Sequence, residues 1–135
     1  MLGEFKMILF DTNIFIEIYR ENQKVIKETK LIGVNNIAIS AVTACELIYG
    51  ALNKSDLKTI IKDIESVEVI LIDKEISSYS IELLKRYSLS HKLSLPDSLI
   101  ASTSIFYNLQ LFTLNIKDFK YIENIRLYEI NNKII

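Results

Sequence analysis

Short apolar runs alternate with stretches of helical periodicity along this chain. Runs of strand length, several of them β-branched, occupy residues 6–10, 37–40, 67–72, 111–114 and 126–130. Apolar residues recur at steps of three and four in segments 14–18, 25–31, 42–52, 57–64, 76–87 and 95–106, which predicts helices. Strands that alternate with helices across short connections favour an α/β fold. We therefore expect three α/β/α layers around a central, mostly parallel sheet of about five strands.

Composition limits the number of domains and the classes of protein that this sequence fits. The 135 residues, 50% hydrophobic and 24% charged, fit one domain spanning residues 1–135. No apolar run approaches the ~20 residues of a membrane span, and the start does not resemble a signal peptide. The single cysteine, Cys45, excludes an internal disulfide, so we expect a reducing, cytoplasmic setting. With a net charge of −1, binding of nucleic acid would require locally gathered lysines or bound cations.

Polar residues follow several of the predicted strands. Asp11 follows the first strand, Glu46 lies on the helix after the second, Asp97 lies at the start of the 95–106 helix, and Asn115 and Asp118 follow the strand 111–114. Ligand sites in parallel sheets lie beyond the carboxyl ends of the strands. We therefore expect these side chains to converge on one crevice.

Helix capping is the structural alternative for each acid taken singly. Asp11 or Asn13 is suited to an N-cap, and Thr43 with Glu46, like Ser94 with Asp97, has the spacing of a capping box. Capping does not require the caps to meet, however, and clustered carboxylates oppose one another's ionisation. A hard divalent cation, Mg²⁺ or Mn²⁺, would relieve that conflict, since it prefers oxygen ligands.

The segments FDTNIFIE, ISAVTACELIYG and LPDSLIASTSIFYNLQLFTLNIKDF, in this order, resemble the PIN-domain family. Size and spacing are most similar to VapC-type toxins of toxin–antitoxin pairs, and the resemblance covers nearly the whole chain. It implies a single PIN-like nuclease domain. By position it implies catalytic roles for Asp11, Glu46, Asp97, Asn115 and Asp118, metal binding by Asp11, Asp97 and Glu46, and supporting or substrate contacts from Thr12, Asn13 and Thr113. Asn115 is a mild departure, because the family often has aspartate there.

The function that this resemblance implies is a Mg²⁺- or Mn²⁺-dependent endoribonuclease. A metal-activated water would cleave RNA phosphodiesters and leave a 5′-phosphate and a 3′-hydroxyl. The implied partners are an RNA substrate, a VapB-type antitoxin and a second copy of the chain in a homodimer, with no membrane. Candidate contacts to the RNA backbone are Lys54, Lys58, Lys85, Lys92 and Lys117.

Two other functions fit parts of the sequence. A degenerate PIN fold would bind RNA or protein without cleaving, and Asn115 is the residue that favours it. A haloacid-dehalogenase-like phosphatase also begins with a strand and an aspartate, but it needs a second acid where Asn13 stands.

Side chains outside this motif set are expected to be structural. We expect His91, the only histidine, to lie in a loop without a catalytic role, although it could serve as an acid or a phosphate donor. Cys45 is expected to fill a small space in the core. Tyr19, Tyr49, Tyr79 and Tyr87 are expected mainly to pack, with exposed rings able to stack on bases.

Overall fold

The computed structural model describes residues 7–130, and a four-stranded parallel sheet lies at its centre. The strands are β1 (Ile8–Phe10), β2 (Ile37–Ser40), β3 (Glu68–Ile70) and β4 (Gln110–Phe112), in the order β3–β2–β1–β4. Leu9 of β1 is in register with Ala38 on one side and with Leu111 on the other. All carboxyl ends therefore lie along one edge of the sheet.

Within residues 7–130, six helices connect and cover these strands. They are α1 (Thr12–Tyr19), α2 (Gln23–Ile32), α3 (Ala41–Tyr49), α4 (Lys54–Glu65), α5 (Lys74–His91) and α6 (Leu95–Phe106). Short 3₁₀ turns occupy Val34–Asn36 and Ile116–Asp118. None of the helices within residues 7–130 combines the length and apolarity needed to cross a membrane.

Alternation along the strands divides the core between the two faces of the sheet, because successive side chains point to opposite sides. Leu9, with Ala38 and Leu111, packs against residues of α5 and α6 such as Leu83 and Ile100. The next residues along the strands form the other core: Phe10, Ile39 and Phe112 pack with Ile14, Val25, Leu47 and Ile60. The three-layer α/β/α prediction is confirmed.

The segment 126–130 does not form the fifth strand that its apolar pattern predicts. It makes a single parallel bridge, between Leu111 and Leu127. The backbone N–H of Leu111 donates to the Arg126 carbonyl and that of Tyr128 donates to the Leu111 carbonyl, each at 2.8 Å. Beyond this bridge the segment is held by its side chains: the Tyr128 hydroxyl donates to the buried carboxylate of Glu28 on α2. In the part of the chain that the structure describes, the sheet therefore has four strands.

Helix α3 buries a different face from the one predicted. Its buried residues are Thr43 and Leu47, one turn apart, whereas Cys45 is exposed and Tyr49 is 92% exposed. The expectation that Cys45 fills the core and that Tyr49 packs was wrong. Burial of the polar Thr43 side chain is tolerated because its hydroxyl is hydrogen-bonded to that of Thr12.

Candidate active site

Asp11 is the most buried carboxylate at the carboxyl edge of the sheet, with 5% of its surface exposed. It caps α1, since its Oδ1 accepts a hydrogen bond from the Thr12 backbone N–H at 2.8 Å. Its Oδ2 accepts from the Thr113 hydroxyl at 2.7 Å and from Asn13 Nδ2 at 3.2 Å. Burial raises the pKa of Asp11, and the bonds from Thr113 and Thr12 counteract that rise. The cap interpretation is correct for this residue, but it accounts for only one of the two carboxylate oxygens.

The chain after β4 is tied to the same residues. Parallel pairing of β1 with β4 brings their ends together, and the Asp11 N–H donates to the Phe112 carbonyl at 2.9 Å. Asn13 Oδ1 accepts from the Leu114 backbone N–H at 3.3 Å, and the Thr113 hydroxyl accepts from the Asn115 N–H at 3.0 Å. Asn13 and Thr113 therefore fix both Asp11 and the loop that follows β4.

Glu46 reaches this edge from the second turn of α3. Its Oε1 accepts a 2.6 Å hydrogen bond from the Thr12 hydroxyl, which also lies 3.0 Å from that of Thr43. The helix is capped by Ser40, whose hydroxyl accepts from the Val42 N–H at 3.0 Å. The alternative of a capping box between Thr43 and Glu46 was therefore wrong, and the Glu46 carboxylate points to α1 instead.

Asp97 lies in the first turn of α6. Ser94 caps this helix, since its hydroxyl accepts a hydrogen bond from the Asp97 N–H at 3.2 Å. The pKa of Asp97 is raised from the usual 3.8 to about 6. Burial is the largest cause, followed by repulsion from Asp11, Asp118 and, more weakly, Glu46. The charges of Glu46 and Asp118 also raise the pKa of Asp11. Four acids far apart in sequence thus share one electrostatic environment, and we call Asp11, Glu46, Asp97 and Asp118 the acid cluster.

Asn115 lies at the rim rather than in this network. It is exposed and precedes the 3₁₀ turn Ile116–Asp118, and its side chain makes no capping bond to that turn. The hydrogen bond to Thr113 comes from the backbone N–H of Asn115 and not from its side chain. Asp118, three residues later, is also exposed.

The donor chemistry of the acid cluster suits a hard divalent cation. Its side chains offer carboxylate oxygens, and none of them is in an ion pair with a lysine or arginine among residues 7–130. Repulsion within the cluster is the kind that a cation relieves. In the same part of the chain, no three acidic, histidine or cysteine side chains are yet close enough together to hold a metal ion. The four carboxylates therefore act on one another electrostatically, but as they stand they do not form a ligand set.

Two residues near the acid cluster had no signal in the sequence. Thr43 contacts Thr12, whereas its sequence spacing indicates only a cap and not this contact. Tyr121 is affected electrostatically by the acid cluster. Burial is the largest cause of the raised pKa of its phenol, and the charges of Asp97 and Asp118 add to it. The Tyr121 ring stacks on that of His91. His91 is the last residue of α5, so the prediction that it lies in a loop was wrong.

Comparison with known proteins agrees with this geometry. The family model described as PIN domain matches residues 8–124. Ribonuclease VapC10 of Mycobacterium tuberculosis is 32% identical over 91 residues, which cover 67% of this chain and 68% of that protein. The chain therefore belongs to the PIN-domain family.

Solved structures give the same fold. A toxin–antitoxin complex from Klebsiella pneumoniae superposes with a TM-score of 0.76 and 30% identity, covering 91% of this chain and 99% of that one. VapBC2 from Rickettsia felis, bound to a DNA fragment from its promoter, superposes with a TM-score of 0.74 and 29% identity, covering 90% and 97%. Both are similar to this chain over almost their whole length.

Proposed function

We propose that this chain is a divalent-metal-dependent endoribonuclease, the VapC-type toxin of a toxin–antitoxin pair. The observation that carries the proposal is the convergence of the acid cluster, whose mutual repulsion contributes to a pKa of about 6 for Asp97. Membership of the PIN-domain family and the likeness to Ribonuclease VapC10 support RNA as the substrate.

Asp11, Asp97 and Glu46 are the residues that would hold the cation, with Asp118 beside them. A divalent cation bound there would lower the pKa of a water and stabilise negative charge on the phosphate and leaving oxygen. Thr113 and Asn13 keep the Asp11 carboxylate turned toward the end of β4, and Thr12 orients Glu46. These neutral donors position the acids without adding positive charge that would compete with a cation.

RNA would approach over the exposed rim, where Asn115 and Asp118 lie. Lys92, between α5 and α6, and Lys117, in the 3₁₀ turn, are exposed near the two elements that carry Asp97 and Asp118. Their ammonium groups are suited to phosphate oxygens flanking the scissile bond. If water rather than the RNA 2′-hydroxyl is the nucleophile, the products carry a 5′-phosphate and a 3′-hydroxyl, and the phosphodiester bond is still cleaved when the nucleotide at the cleavage site is 2′-deoxy.

A cleavage assay on the purified chain tests this function. We expect single-stranded RNA to be cut with Mg²⁺ or Mn²⁺ and not with EDTA, and Asp11→Asn and Asp97→Asn to lose at least about 100-fold in rate. Glu65→Gln, an exposed acid at the end of α4, is the matched control and keeps the parent rate. If both aspartate variants cleave like the parent, or the parent cleaves equally well in EDTA, the proposal is wrong.

The alternative of a PIN-fold module that binds without cleaving has one observation in its favour: within residues 7–130, the carboxylates do not form a closed ligand set. It predicts that the parent binds RNA and does not cleave it with either metal. The same assay therefore separates the two functions.

A VapB-type antitoxin is the proposed protein partner. A groove of about 570 Å³ lies between α1, α3 and α4 and runs from apolar residues, including Ile16, Tyr19 and Leu52, to Glu46 of the acid cluster. An amphipathic peptide could place apolar side chains in this groove and a basic one beside Glu46. We expect Leu52→Asp to abolish capture of the antitoxin encoded with this chain while the isolated chain still cleaves RNA. An unchanged affinity would exclude the groove.

A homodimer is proposed from apolar surface on α5, where Ile81 is 55% and Leu89 94% exposed. Light scattering on the purified chain would give twice the monomer mass, and Leu89→Glu would shift it toward the monomer. A parent mass of one chain at micromolar concentration would contradict the dimer.

A further inference from the structure

Three aromatic rings pack together where α5 ends. His91 lies on Tyr121 in a parallel stack, with ring centroids 4.0 Å apart and planes 9° from parallel. Tyr87, one turn earlier on α5, meets both rings edge-on, at 5.8 Å from His91 and 5.1 Å from Tyr121. The Arg86 guanidinium lies over the Tyr87 ring, 5.1 Å from its centroid. The His91 ring is therefore held in place by its neighbours.

The stack joins two segments of the chain that each lead to a member of the acid cluster. Tyr121 follows Asp118 by three residues, and Asp97 and Asp118 are near enough to act electrostatically on its phenol. His91 precedes by three residues Ser94, the cap that holds the first turn of α6 and Asp97. The two segments that meet in the ring stack are thus the segments that carry two of the four acids.

The imidazole of His91 is stacked and still reaches solvent. Tyr121 covers one face of the ring, Tyr87 meets it at 74°, and His91 as a residue is exposed. The Ser90 hydroxyl lies 2.8 Å from His91 Nδ1, which restricts rotation of the ring. Lys92 follows in the left-handed conformation, with φ of 57°, and is also exposed. A fixed aromatic face beside a flexible cation is the combination with which proteins bind single-stranded nucleic acids.

We propose that the face of His91 opposite Tyr121 stacks on an unpaired RNA base next to the scissile phosphate, and that Lys92 contacts the adjoining backbone. The proposal rests on the proposed function, since it places the base beside the nuclease site. An aromatic face binds any base by its π surface and cannot stack on a base that is paired inside a helix. The substrate class is therefore unpaired RNA, with little preference for base identity at the stacked position. His91 acts here as a positioning residue and not as a proton donor.

Two substitutions separate these roles. His91→Phe keeps a flat ring and removes both nitrogens, whereas His91→Ala removes the ring. Affinity for a labelled single-stranded oligonucleotide is measured by fluorescence anisotropy in the Asp11→Asn background, where cleavage does not interfere. We expect His91→Ala to weaken binding about 10-fold and His91→Phe to stay within about 2-fold of its background. In the cleaving protein, His91→Ala raises KM by a similar factor with kcat within about 3-fold.

Phe106→Ala is the matched control, because Phe106 is a partly exposed aromatic at the far end of α6. It leaves RNA affinity unchanged. An abasic nucleotide at the stacked position should weaken binding of the His91 protein and of His91→Phe, but add nothing to the loss in His91→Ala. A series of oligonucleotides with one abasic site each would therefore locate the stacked base.

Two results would overturn the stacking role: affinity unchanged in His91→Ala, or a loss in His91→Phe as large as that in His91→Ala. The second would assign the effect to the ring nitrogens. Because anisotropy does not require cleavage, these results are distinct from failure of the proposed function. A parent that never cleaves RNA, yet binds it in the His91-dependent manner described, would refute the nuclease and retain the base platform.

Discussion

The hydroxyl of Thr113 donates a 2.7 Å hydrogen bond to Oδ2 of Asp11, joining two residues that are 102 positions apart. Each residue directly follows a strand, and β1 and β4 are paired in parallel, so the sheet itself brings the two side chains together. Asp11 is almost fully buried. A buried carboxylate is stable in this position only while its oxygens have donors.

Loss of the Thr113 hydroxyl should therefore destabilise the fold. Thr113→Val keeps the shape of the side chain and removes the donor, and we expect it to lower the free energy of unfolding by about 1–3 kcal/mol near pH 7. Thr113→Ser keeps the hydroxyl and is the control, with a smaller loss. Urea denaturation of the metal-free proteins measures both, and equal stabilities would contradict this role of the bond.

Repulsion at Asp97 predicts a pH-dependent gain in stability for Asp97→Asn. A carboxyl whose pKa is higher in the folded state binds its proton more tightly there. The stability that protonated Asp97 contributes to the folded state is therefore fully present below about pH 4 and is lost as pH rises through about 6. A shift from 3.8 to about 6 corresponds to at most about 3 kcal/mol, and solvent screening reduces it.

We expect metal-free Asp97→Asn to equal the parent near pH 4 and to exceed it by about 1–2 kcal/mol above pH 7. Denaturation at a series of pH values checks this, with Glu65→Gln as a control that shows no such trend. A variant that is less stable than the parent at every pH would mean that Asp97 serves the fold and is not repelled within it.

Asn115 offers a test by addition of charge. Asn115→Asp supplies a carboxylate at the rim, and we expect it to tighten Mn²⁺ binding about 3- to 10-fold in calorimetry, because hard cations favour carboxylate oxygens. Asn35→Asp is the control: it adds the same charge within the 3₁₀ turn Val34–Asn36, which precedes β2 and lies at the opposite end of that strand from the acids. If both variants bind Mn²⁺ equally, Asn115 contributes nothing to the coordination.

The hydrogen bond between Tyr128 and Glu28 is expected to hold the segment that follows the bridge at Leu127, and its removal tests this. Removal of the hydroxyl in Tyr128→Phe leaves the buried Glu28 carboxylate without that donor, and we expect a loss of about 1–3 kcal/mol in the free energy of unfolding. Combining Tyr128→Phe with Glu28→Gln removes the buried charge and should restore part of the loss. A double variant no more stable than Tyr128→Phe would contradict this explanation.

The sequence predicted the layers and the converging strand ends because these follow from local periodicity and from the geometry of parallel sheets. The stretch that became α6 was predicted with its bounds, whereas the helix predicted over residues 76–87 starts two residues later than α5 and ends four residues earlier. The segment 126–130 was not, because its pattern suits an edge strand while only Leu111 pairs with it. A pattern of residue types does not reveal how many hydrogen bonds a neighbouring strand offers.

The site was predictable in its acids and less so in its neutral partners. Asp11 and Asp97 follow recognisable strand and capping patterns, whereas the burial of Thr43 depends on a hydroxyl of α1 more than thirty positions away. Cys45 and Tyr49 were assigned to the wrong face of α3 for the same reason. The stack of His91 on Tyr121 joins residues 30 positions apart, and no local pattern indicates such a pair.

The most direct test of the account is the anomalous difference density of a crystal soaked in Mn²⁺ above pH 7, where Asp97 is ionised. We expect a peak bridging the Asp11 and Asp97 carboxylates, with Glu46 rotated toward it, and no peak in Asp97→Asn crystals. Carboxylates that remain apart, with no density between them at saturating Mn²⁺, would contradict the claim that the acid cluster is a cation site.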